Sequence, residues 1–475
     1  MQDTTGRSAR VGAAHHSRSA GRSAPAVCLA ALALSAACST PRPIGPAPEH
    51  VTLRSLVVML DGVSWPVMDS LWDAGHFGGF HAPSRLISTF PSITGVAFRD
   101  IWHEPHTPGY EDRYYDRDRR RLAGGLLDHV FAGETSTSFH RHVDVMADGV
   151  TAGLAYIVPV TTARTELTRV RRAISERLST DTTLVAYIVS TDALAHMSPR
   201  EDLVAFLLDI ETMVDELRAA AGPDLEITLF SDHGNDRVRT QRVDIERALA
   251  RAGLDLAGRV RNENDVAMPR FGLVGSAFLY THPSARERAA RAIVSADGVD
   301  FVTWRDSTGT IHVLGRDGHA RIEGDDSAYL YRPVEGDPLG LAPVVERMKR
   351  SGAADAAGFA PDSAWLAETL SGPYVDPLRR IAHGLRSVQN PADVIVSLAP
   401  GYHFGDVAVD HVVGMQGTHG SLRTSSSLAF VMSSHAIVPD PVRTDALVSW
   451  VALPRDDGSF VGTGVSRRES GARSR

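Results

Sequence analysis

Five continuous apolar runs constrain the fold of this chain more than any other feature of its sequence. The runs are Leu53–Leu60, Leu184–Val189, Ile227–Phe230, Val394–Leu398 and Leu428–Met432. Segments that are apolar on both faces and stop abruptly at polar residues are typical of buried parallel strands. The sequence therefore predicts a sheet that is covered on both sides.

Amphipathic helices are predicted between these runs. One of them has a single apolar face made by Leu203, Phe206, Leu207, Ile210, Met213, Val214 and Leu217. Another has a face made by Leu167, Val170, Ile174 and Leu178. Strands that alternate with helices predict an α/β fold, here a doubly wound, mostly parallel sheet sandwiched by helices. Ligands of such sheets bind beyond the carboxyl ends of the strands.

The pattern of apolar runs alternating with helices changes between residues 246 and 384. Shorter strands are predicted there, and Asp317-Gly318 is typical of a hairpin turn. We interpret residues 246–384 as an inserted α+β cap, and residues 51–245 together with 385–455 as the α/β domain that holds the functional site. Residues 456–475, which are rich in Gly, Ser and Arg, are predicted to be a disordered tail.

The N-terminal residues 1–38 have the pattern of an export signal. A basic stretch precedes the apolar run Ala24–Ala37, and small residues precede Cys38. Ser35–Cys38 resembles the cleavage box of bacterial lipoproteins, in which the cysteine is lipidated; an ordinary cleaved signal peptide is the alternative. Residues 39–50 contain four prolines and are predicted to be an extended tether. We expect an exported protein of the bacterial envelope, periplasmic or at the surface, with membrane contact only through Cys38.

The composition excludes several kinds of site. The two cysteines, Cys28 and Cys38, lie near the N-terminus, so the folded body has neither a disulfide framework nor a thiolate metal site. A formal net charge of −8 argues against nucleic acid as the main partner. Any metal site must therefore use carboxylates, imidazoles and hydroxyls.

Six acidic and imidazole side chains lie beyond the apolar runs or in a glycine-flanked motif. They are Asp61, Asp192, His196, Asp232, His233 and His419. Asp192 and His196 are separated by three residues, which puts them on one face of a helical turn. Oxygen and nitrogen ligands of this kind are those that divalent metals use. Each fragment alone is more often a surface residue or a hydrogen-bonded residue than a ligand.

A threonine lies where the start of a helix is predicted. In Thr89-Phe90-Pro91-Ser92, Thr89 has the position of an N-cap and Pro91 suits the first helical turn. A hydroxyl at a helix N-terminus lies beside free backbone N–H groups and the positive end of the helix dipole, which favour a phosphate. An ordinary capping threonine is the alternative.

Five short motifs occur in an order that favours one superfamily of proteins over the alternatives above. Asp-Gly, Thr-Phe-Pro, Asp-x-x-x-His, Ser-Asp-His-Gly and Gly-Thr-His-Gly follow one another along the chain. In this order the chain resembles the alkaline-phosphatase superfamily, and most closely its type I phosphodiesterase and nucleotide pyrophosphatase branch. The resemblance covers residues 53–240 and 390–435.

The resemblance implies two divalent metal ions, which are zinc in most members of the superfamily. The first ion would be held by Asp61, Asp232, His233 and the Thr89 oxygen, and the second by Asp192, His196 and His419. Thr89 would attack phosphorus and form a phospho-threonine during the hydrolysis of small phosphate diesters or pyrophosphates. The backbone N–H of Phe90 and the hydroxyl of Ser92 would bind the phosphoryl group.

Two other functions stay open at this point. Members of the pyrophosphatase branch commonly have an asparagine after Thr-Phe-Pro, where this chain has Ser92. A phosphomonoesterase with the same site would need a cation for the extra phosphate charge, and Lys349 and Arg85 are the residues considered for it. The third possibility is a lipid-anchored protein that binds a ligand without turnover. A sulfatase is disfavoured because the body lacks the cysteine, and the Thr89 motif lacks the arginine, of that signature.

Overall fold

The computed structural model describes residues 50–125, 138–410, 414–451, 453–454 and 460–461. The predicted export signal, Cys38, all but the last residue of the tether and nearly all of the predicted tail lie outside the described residues. Within the described part of the chain, no helix is long and apolar enough to span a bilayer.

The strands are as follows, in chain order. They are β1 Ser55–Leu60, β2 Ser84–Ile87, β3 Arg113–Asp116, β4 Arg121–Gly124, β5 Thr183–Ile188, β6 Glu226–Ser231, β7 Gln241–Arg242, β8 Asp255–Leu256, β9 Asp265–Ala267, β10 Ser276–Thr281, β11 Val299–Arg305, β12 Ile311–Gly315, β13 Gly318–Gly324, β14 Ala328–Gly336, β15 Ala360–Pro361, β16 Val394–Leu398, β17 Tyr402–His403, β18 Leu428–Ser433, β19 Val442–Arg443, β20 Leu453–Pro454 and β21 Phe460–Val461.

The helices lie between them. They are α1 Trp65–Asp73, α2 Thr94–Ile101, α3 Gly149–Ala155, α4 Pro159–Arg177, α5 Ser190–Met197, α6 Arg200–Ala221, α7 Ile245–Arg251, α8 Arg286–Ile293, α9 Ala342–Ser351, α10 Asp362–Thr369, α11 Pro377–Gly384, α12 Val407–Asp410 and α13 Thr424–Ser427. Short 3-10 turns occur at Ser138–His142, Pro283–Ala285 and Thr444–Ser449.

A six-stranded sheet in the order β19-β2-β18-β6-β1-β5 forms the centre of the α/β domain. β1 runs parallel to both β5 and β6, with Leu60 opposite Ile188 on one side and opposite Ser231 on the other. β18 is antiparallel to β6 and β2, so the other five strands share one direction. Since β1 and β6 end in register, the residues that follow them lie side by side at one edge of the sheet.

Helices cover both faces of this sheet. On one face, the apolar sides of α1, α4 and α6 pack against alternate residues of β1, β5 and β6, such as Val58 and Leu229. On the other face, α2 packs through Phe98 and Ile101 against Met59 and its neighbours. The predicted fold class, a doubly wound and mostly parallel sheet between helices, is confirmed.

The direction of two predicted strands is wrong. Val394–Leu398 and Leu428–Met432 are buried strands, but β16 is antiparallel to β10 and β11, and β18 is antiparallel to its two neighbours. A continuous apolar run reports that both faces of a strand are covered. It does not report the direction in which the strand runs.

A second sheet has the order β15-β14-β13-β12-β11-β16-β10-β9-β8. Its strands come from the predicted insertion, residues 246–384, except for β16, which follows the predicted boundary and lies between β11 and β10. Asp317-Gly318 forms the predicted hairpin turn, because β12 and β13 pair on either side of it. Large apolar side chains such as Phe301 and Trp365 are buried in the core beside this sheet.

Candidate metal centre

The ends of β1 and β6 bring three predicted ligands together. Asp61 follows β1, and Asp232 and His233 follow β6; all three are buried. His233 Nε2 lies 3.5 Å from Asp61 Oδ1 and 3.3 Å from Asp232 Oδ2. Their partners hold them in place, because Gly62 N–H donates to Asp232 Oδ1 (3.1 Å) and the Tyr187 hydroxyl donates to Asp61 Oδ2. We call Asp61, Asp232 and His233 the first ligand group.

The helix α5 and a later loop supply the other three ligands. Asp192 and His196 lie one turn apart on α5, with His196 Nε2 3.2 Å from Asp192 Oδ1. His419 comes from the loop before α13, and its Nε2 lies 4.0 Å from the same carboxylate oxygen. All three side chains are buried. We call Asp192, His196 and His419 the second ligand group.

The two ligand groups adjoin. The rings of His233 and His419 stack with centroids 3.7 Å apart and an interplanar angle of 12°. Ligand atoms of Asp192, His233 and His419 lie within 4.8 Å of one another, as do those of the first group. Gly62 has a φ of +66°, and a Cβ there would lie 2.3 Å from Asp192 Oδ1. The glycine of the Asp-Gly motif is therefore required by this close approach as well as by its backbone conformation.

The three imidazoles each use Nδ1 for a hydrogen bond to a backbone carbonyl. The Nδ1 atoms of His196, His233 and His419 lie 2.8, 2.9 and 2.7 Å from the carbonyls of Gly417, Gly234 and Ser92, respectively. A carbonyl only accepts hydrogen bonds, so each Nδ1 is the donor. In the neutral tautomer each Nε2 then has a free lone pair directed at the carboxylates. Metal-binding histidines are oriented by backbone carbonyls in this way.

Two carboxylate oxygens in the cluster have no hydrogen-bond partner within the described residues. These buried atoms are Asp192 Oδ1 and Asp232 Oδ2. The other oxygen of each carboxylate is bonded, since the Tyr156 hydroxyl donates to Asp192 Oδ2 at 2.7 Å and Gly62 to Asp232 Oδ1. Leaving a buried charged oxygen unpaired is costly, and a divalent cation would remove that cost. The set of carboxylates and imidazoles therefore fits divalent metal ions.

The electrostatics of the two groups differ. Burial and the charges of Asp232 and Asp192 raise the pKa of Asp61 well above its ordinary value, and burial raises the pKa of Asp232 to about 7. In the second group, burial opposes ionisation of Asp192, but the imidazole of His196 holds the pKa of this carboxyl below its usual range. Burial lowers the pKa of His419 to about 4, which keeps this imidazole neutral and able to bind a metal.

The hydroxyl that lies at the cluster belongs to Thr94. Its Oγ1 is 3.3 Å from Asp61 Oδ1 and 3.2 Å from His233 Nε2. Thr94 is the first residue of α2, and the preceding Ile93 is extended. The hydroxyl is therefore at once beside the first ligand group and at the positive end of a helix.

Thr89, which the sequence predicted as nucleophile and metal ligand, does not lie beside either ligand group, and the prediction is corrected in this respect. Its hydroxyl donates to Pro91 O (2.9 Å), and its carbonyl accepts from Arg380 Nη2 (2.9 Å). No contact joins it to either ligand group among the described residues. The reason is the position of the helix: α2 begins at Thr94, and not at Pro91, so the segment around Thr89 is a loop held by the buried Arg380.

The two residues predicted to bind the phosphoryl group are also placed differently. Phe90 is buried in the core beside the second sheet, with its ring 6.1 Å from that of Phe301. Ser92 is buried, and its hydroxyl donates to Thr89 O at 3.0 Å. Only the carbonyl of Ser92 takes part in the site, because it orients His419.

Three residues with a place in the site were missed. The signal for Thr94 was a hydroxyl and Gly95 directly before the helical face of Val96, Phe98 and Ile101. Tyr156 and Tyr187 were also missed, and they donate to Asp192 and Asp61. For these two tyrosines the sequence offered no signal, because nothing in the spacing links them to an aspartate.

Comparison with known proteins gave matches among solved structures. No protein-family model and no curated protein matches the sequence. A phosphonoacetate hydrolase from Sinorhizobium meliloti 1021, in complex with phosphonoformate, is 12% identical, with 83% of this chain and 94% of that chain covered and a TM-score of 0.46. Human ectonucleotide pyrophosphatase/phosphodiesterase 5 is 11% identical, with 86% and 97% covered and a TM-score of 0.45.

The likeness to those structures is one of fold, and the activities in their names are their own. Within this chain, five motifs follow one another in order, and five of the implied ligands form two clusters of candidate metal-binding atoms that share His233. His196, the sixth, lies 3.2 Å from Asp192. The resemblance to the alkaline-phosphatase superfamily rests on the order of these motifs and on this arrangement of their residues.

Proposed function

We propose that this protein hydrolyses small phosphate diesters or pyrophosphates, with Thr94 as the nucleophile and two divalent metal ions, zinc in the first place, as cofactors. The observation that carries the proposal is the Thr94 hydroxyl, which lies 3.3 Å from Asp61 Oδ1 and 3.2 Å from His233 Nε2 at the start of α2. A hydroxyl placed among ligands that fit a dication is typical of nucleophilic catalysis.

Each ligand group would bind one of the two metal ions. The first group, with the Thr94 oxygen, would hold one ion, and the second group would hold the other. Bound dications lower the pKa of a coordinated hydroxyl and offset negative charge on the attacking and leaving oxygens. The carbonyls bonded to the three Nδ1 atoms keep the imidazoles in the tautomer that this requires.

The chain's own residues account for the bond changes. Thr94 Oγ1 forms a bond to phosphorus, the bond from phosphorus to the leaving oxygen breaks, and the hydroxyl proton ends on the leaving group, which is an alcohol from a diester or a phosphate from a pyrophosphate. Water then adds to the phospho-threonine, which releases the phosphate ester and restores the hydroxyl. Because Thr94 opens α2, the positive end of the helix dipole lies beside the attacking oxygen and stabilises the phosphoryl group.

A diester is favoured over a monoester by the positions of two cations. Arg85, considered for the third phosphate oxygen, is bonded to Asp440 through two guanidinium nitrogens, at 2.9 and 2.7 Å. Lys349 lies on α9 and pairs with Glu346 at 3.1 Å. Both cations considered for a monoesterase are therefore engaged with other carboxylates.

Two threonines five residues apart provide a matched test. The zinc-loaded protein would be assayed with bis-p-nitrophenyl phosphate and with p-nitrophenyl phosphate. We expect the diester to be preferred, and kcat/KM to fall by at least about 10³-fold in Thr94→Ala, as on loss of a nucleophile in other hydrolases. Thr89→Ala is the control and should keep activity within about 3-fold, since the Thr89 hydroxyl bonds to Pro91 O and, among the described residues, to neither ligand group.

The outcomes separate the parts of this proposal. Loss of activity in Thr89→Ala alone would return the nucleophile to Thr89. A monoester preference that Thr94→Ala abolishes would leave the nucleophile in place and make the protein a phosphomonoesterase. No turnover of either ester, with both metals bound, would favour a binding protein.

We also propose export to the bacterial envelope with a lipid anchor on Cys38. The support is the N-terminal sequence: a basic stretch, an apolar run and small residues before the cysteine. In a bacterial host, the full-length protein should fractionate with membranes, and Cys38→Ala should release it into the periplasmic fraction. An unchanged distribution of Cys38→Ala would show that the cysteine is not the anchor.

A further inference from the structure

The helix α5 carries two ligands of the second group but has only eight residues, Ser190–Met197. Its helical geometry fixes the spacing between Asp192 and His196. Its position relative to the first group, however, depends on what holds its two ends. A short helix also leaves a large share of its terminal N–H and C=O groups without partners inside the helix.

At the N-terminal end of α5, the partner is the carboxylate of Glu166. This side chain reaches across from α4 and is 1% exposed. Its Oε1 accepts from the N–H of Val189 at 3.1 Å, and its Oε2 accepts from the N–H of Ser190 at 2.9 Å. A negative charge is stabilising at this end of a helix, so Glu166 satisfies two orphan donors and complements the dipole.

At the C-terminal end, the partner is the guanidinium of Arg237. Its Nη1 donates to the carbonyls of Leu194 (3.2 Å) and Ala195 (2.6 Å), and its Nη2 donates to Ser198 O (3.1 Å). These carbonyls come from the last turn of α5 and the residue that follows it. A cation is stabilising there for the same reason that an anion is stabilising at the other end.

Arg237 also belongs to the loop that carries a ligand of the first group. The loop leaves β6 through His233, and the backbone N–H of Arg237 donates to Asn235 Oδ1 at 3.0 Å. The neighbouring Asp236 N–H donates to the carbonyl of Thr418 at 2.9 Å, next to His419. One loop therefore touches the helix of the second group and the loop of its third ligand, and begins at a ligand of the first group.

We propose that Glu166 and Arg237 are positioning residues for the second metal ion, and that Arg237 sets the distance between the two ligand groups. Neither residue touches a ligand atom of either group in the described contacts. They act through α5, because they hold the two ends of the helix that presents Asp192 and His196. The inference rests on the metal sites of the proposed function and concerns metal binding, not turnover.

The test measures Co²⁺ binding by its visible absorbance in two single-site backgrounds. Asp61→Ala keeps the second ligand group intact, and His196→Ala keeps the first. In the Asp61→Ala background, Arg237→Gln should weaken Co²⁺ binding by about 10- to 100-fold, which is the usual effect of losing the support of a ligand. In the His196→Ala background, the same change should leave binding within about 2-fold, because the first group is held by the sheet.

Matched controls exist on neighbouring helices. Arg200→Gln removes a positive charge from the first turn of α6 and should leave both affinities unchanged, since Arg200 is exposed. Glu166→Gln should weaken Co²⁺ binding in the Asp61→Ala background, because an amide cannot accept from both N–H groups. Glu176→Gln, an exposed change on the same helix α4, should have no effect.

Equal weakening in both backgrounds, or in neither, would overturn the proposal. If Arg237→Gln loses its near-ultraviolet circular dichroism, Arg237→Lys replaces it; Lys keeps the charge but cannot span three carbonyls, so the same selective loss is expected. Failure of the proposed function has a different signature. In that case the wild-type protein binds Co²⁺ at both groups, the Arg237 variants show the predicted selective loss of binding, and neither ester is hydrolysed.

Discussion

The two ligand groups are built in different ways although they adjoin. Asp61 and Asp232 follow neighbouring parallel strands that end in register, so backbone hydrogen bonds of the sheet set their separation. Asp192 and His196 lie on a short helix whose ends are held by the side chains of Glu166 and Arg237. The first group is fixed by strand pairing, and the second by contacts that single substitutions can remove.

The charges of the groups differ in the same sense. The first group places two carboxylates together with one imidazole, and burial and mutual repulsion raise the pKa of Asp61. In the metal-free second group, burial opposes protonation of His196, but Asp192 raises the pKa of this imidazole, which lies 3.2 Å away and compensates the carboxylate when it is protonated. The first ligand group therefore depends on a cation for its charge balance, whereas the second ligand group is partly balanced by its own imidazole.

The largest effect is expected at His233, which belongs to the first ligand group and also has its ligand atom within 4.8 Å of those of Asp192 and His419 in the second. His233→Ala should remove both ions and lower kcat/KM by at least about 10³-fold. His196→Ala should remove the second ion alone. Bound zinc per chain, measured by elemental analysis after dialysis, distinguishes the two results. One ion left in His233→Ala would mean that the groups are independent.

In the metal-free protein, substitutions in the two groups are expected to change the free energy of unfolding by smaller amounts and in opposite directions. Asp61→Asn removes a buried carboxyl whose pKa is raised by burial and by Asp232, so at a pH above that raised pKa the free energy of unfolding should rise by about 1 kcal/mol. Asp192→Asn breaks the pair with His196 and should lower it by about 1–3 kcal/mol. Urea unfolding in EDTA measures both, and changes of the same sign would contradict the electrostatic difference between the two groups.

Substitution of each of the two tyrosines should lower the metal affinity of one ligand group only. The Tyr187 hydroxyl donates to Asp61 and the Tyr156 hydroxyl to Asp192. Each Tyr→Phe change should weaken zinc binding by about 10-fold at its own group and leave the other group unaffected. Competition with a zinc chelator in the single-site backgrounds is the measurement. Crossed effects would show that the groups share their support.

The smallest effect on activity is expected at Ser92. Its buried hydroxyl is bonded to Thr89 O, so Ser92→Ala should cost about 1 kcal/mol of stability. Since only the carbonyl of Ser92 faces the site, kcat/KM should change by less than about 3-fold. Steady-state kinetics beside thermal unfolding checks both, and a large loss of kcat/KM would restore the phosphate contact predicted from the sequence.

Two local rules single out five of the six candidate ligands in the sequence, and the resemblance carried by the ordered motifs adds His419 and assigns the set. Residues after buried parallel strands meet at one edge of a sheet, which gives Asp61, Asp232 and His233. Residues four apart share a helical face, which gives Asp192 and His196. These rules depend only on the chain near each residue.

Thr94, the nucleophile that we propose, could not be predicted with the same rules. Thr89 and Thr94 both precede apolar helical residues, and the choice depends on where the helix begins, which is the least certain feature of a sequence pattern. The start of α2 at Thr94 is set by tertiary contacts, including the bonds of Arg380 to the loop before it. The direction of β16 and β18 escaped prediction because an apolar run looks the same in both directions.

The reversed strand β18 has a consequence for the order in which the site is completed. Because β18 is antiparallel to β6, its beginning and not its end lies near the edge where β1 and β6 finish. The loop before β18, and not one after it, therefore delivers His419. During synthesis, the other five ligands have left the ribosome long before this one, so the second site is the last to close. A chain cut between residues 240 and 419 would contain the residues of the first group, but it would lack His419 and the strand β18 that pairs with β6 and β2.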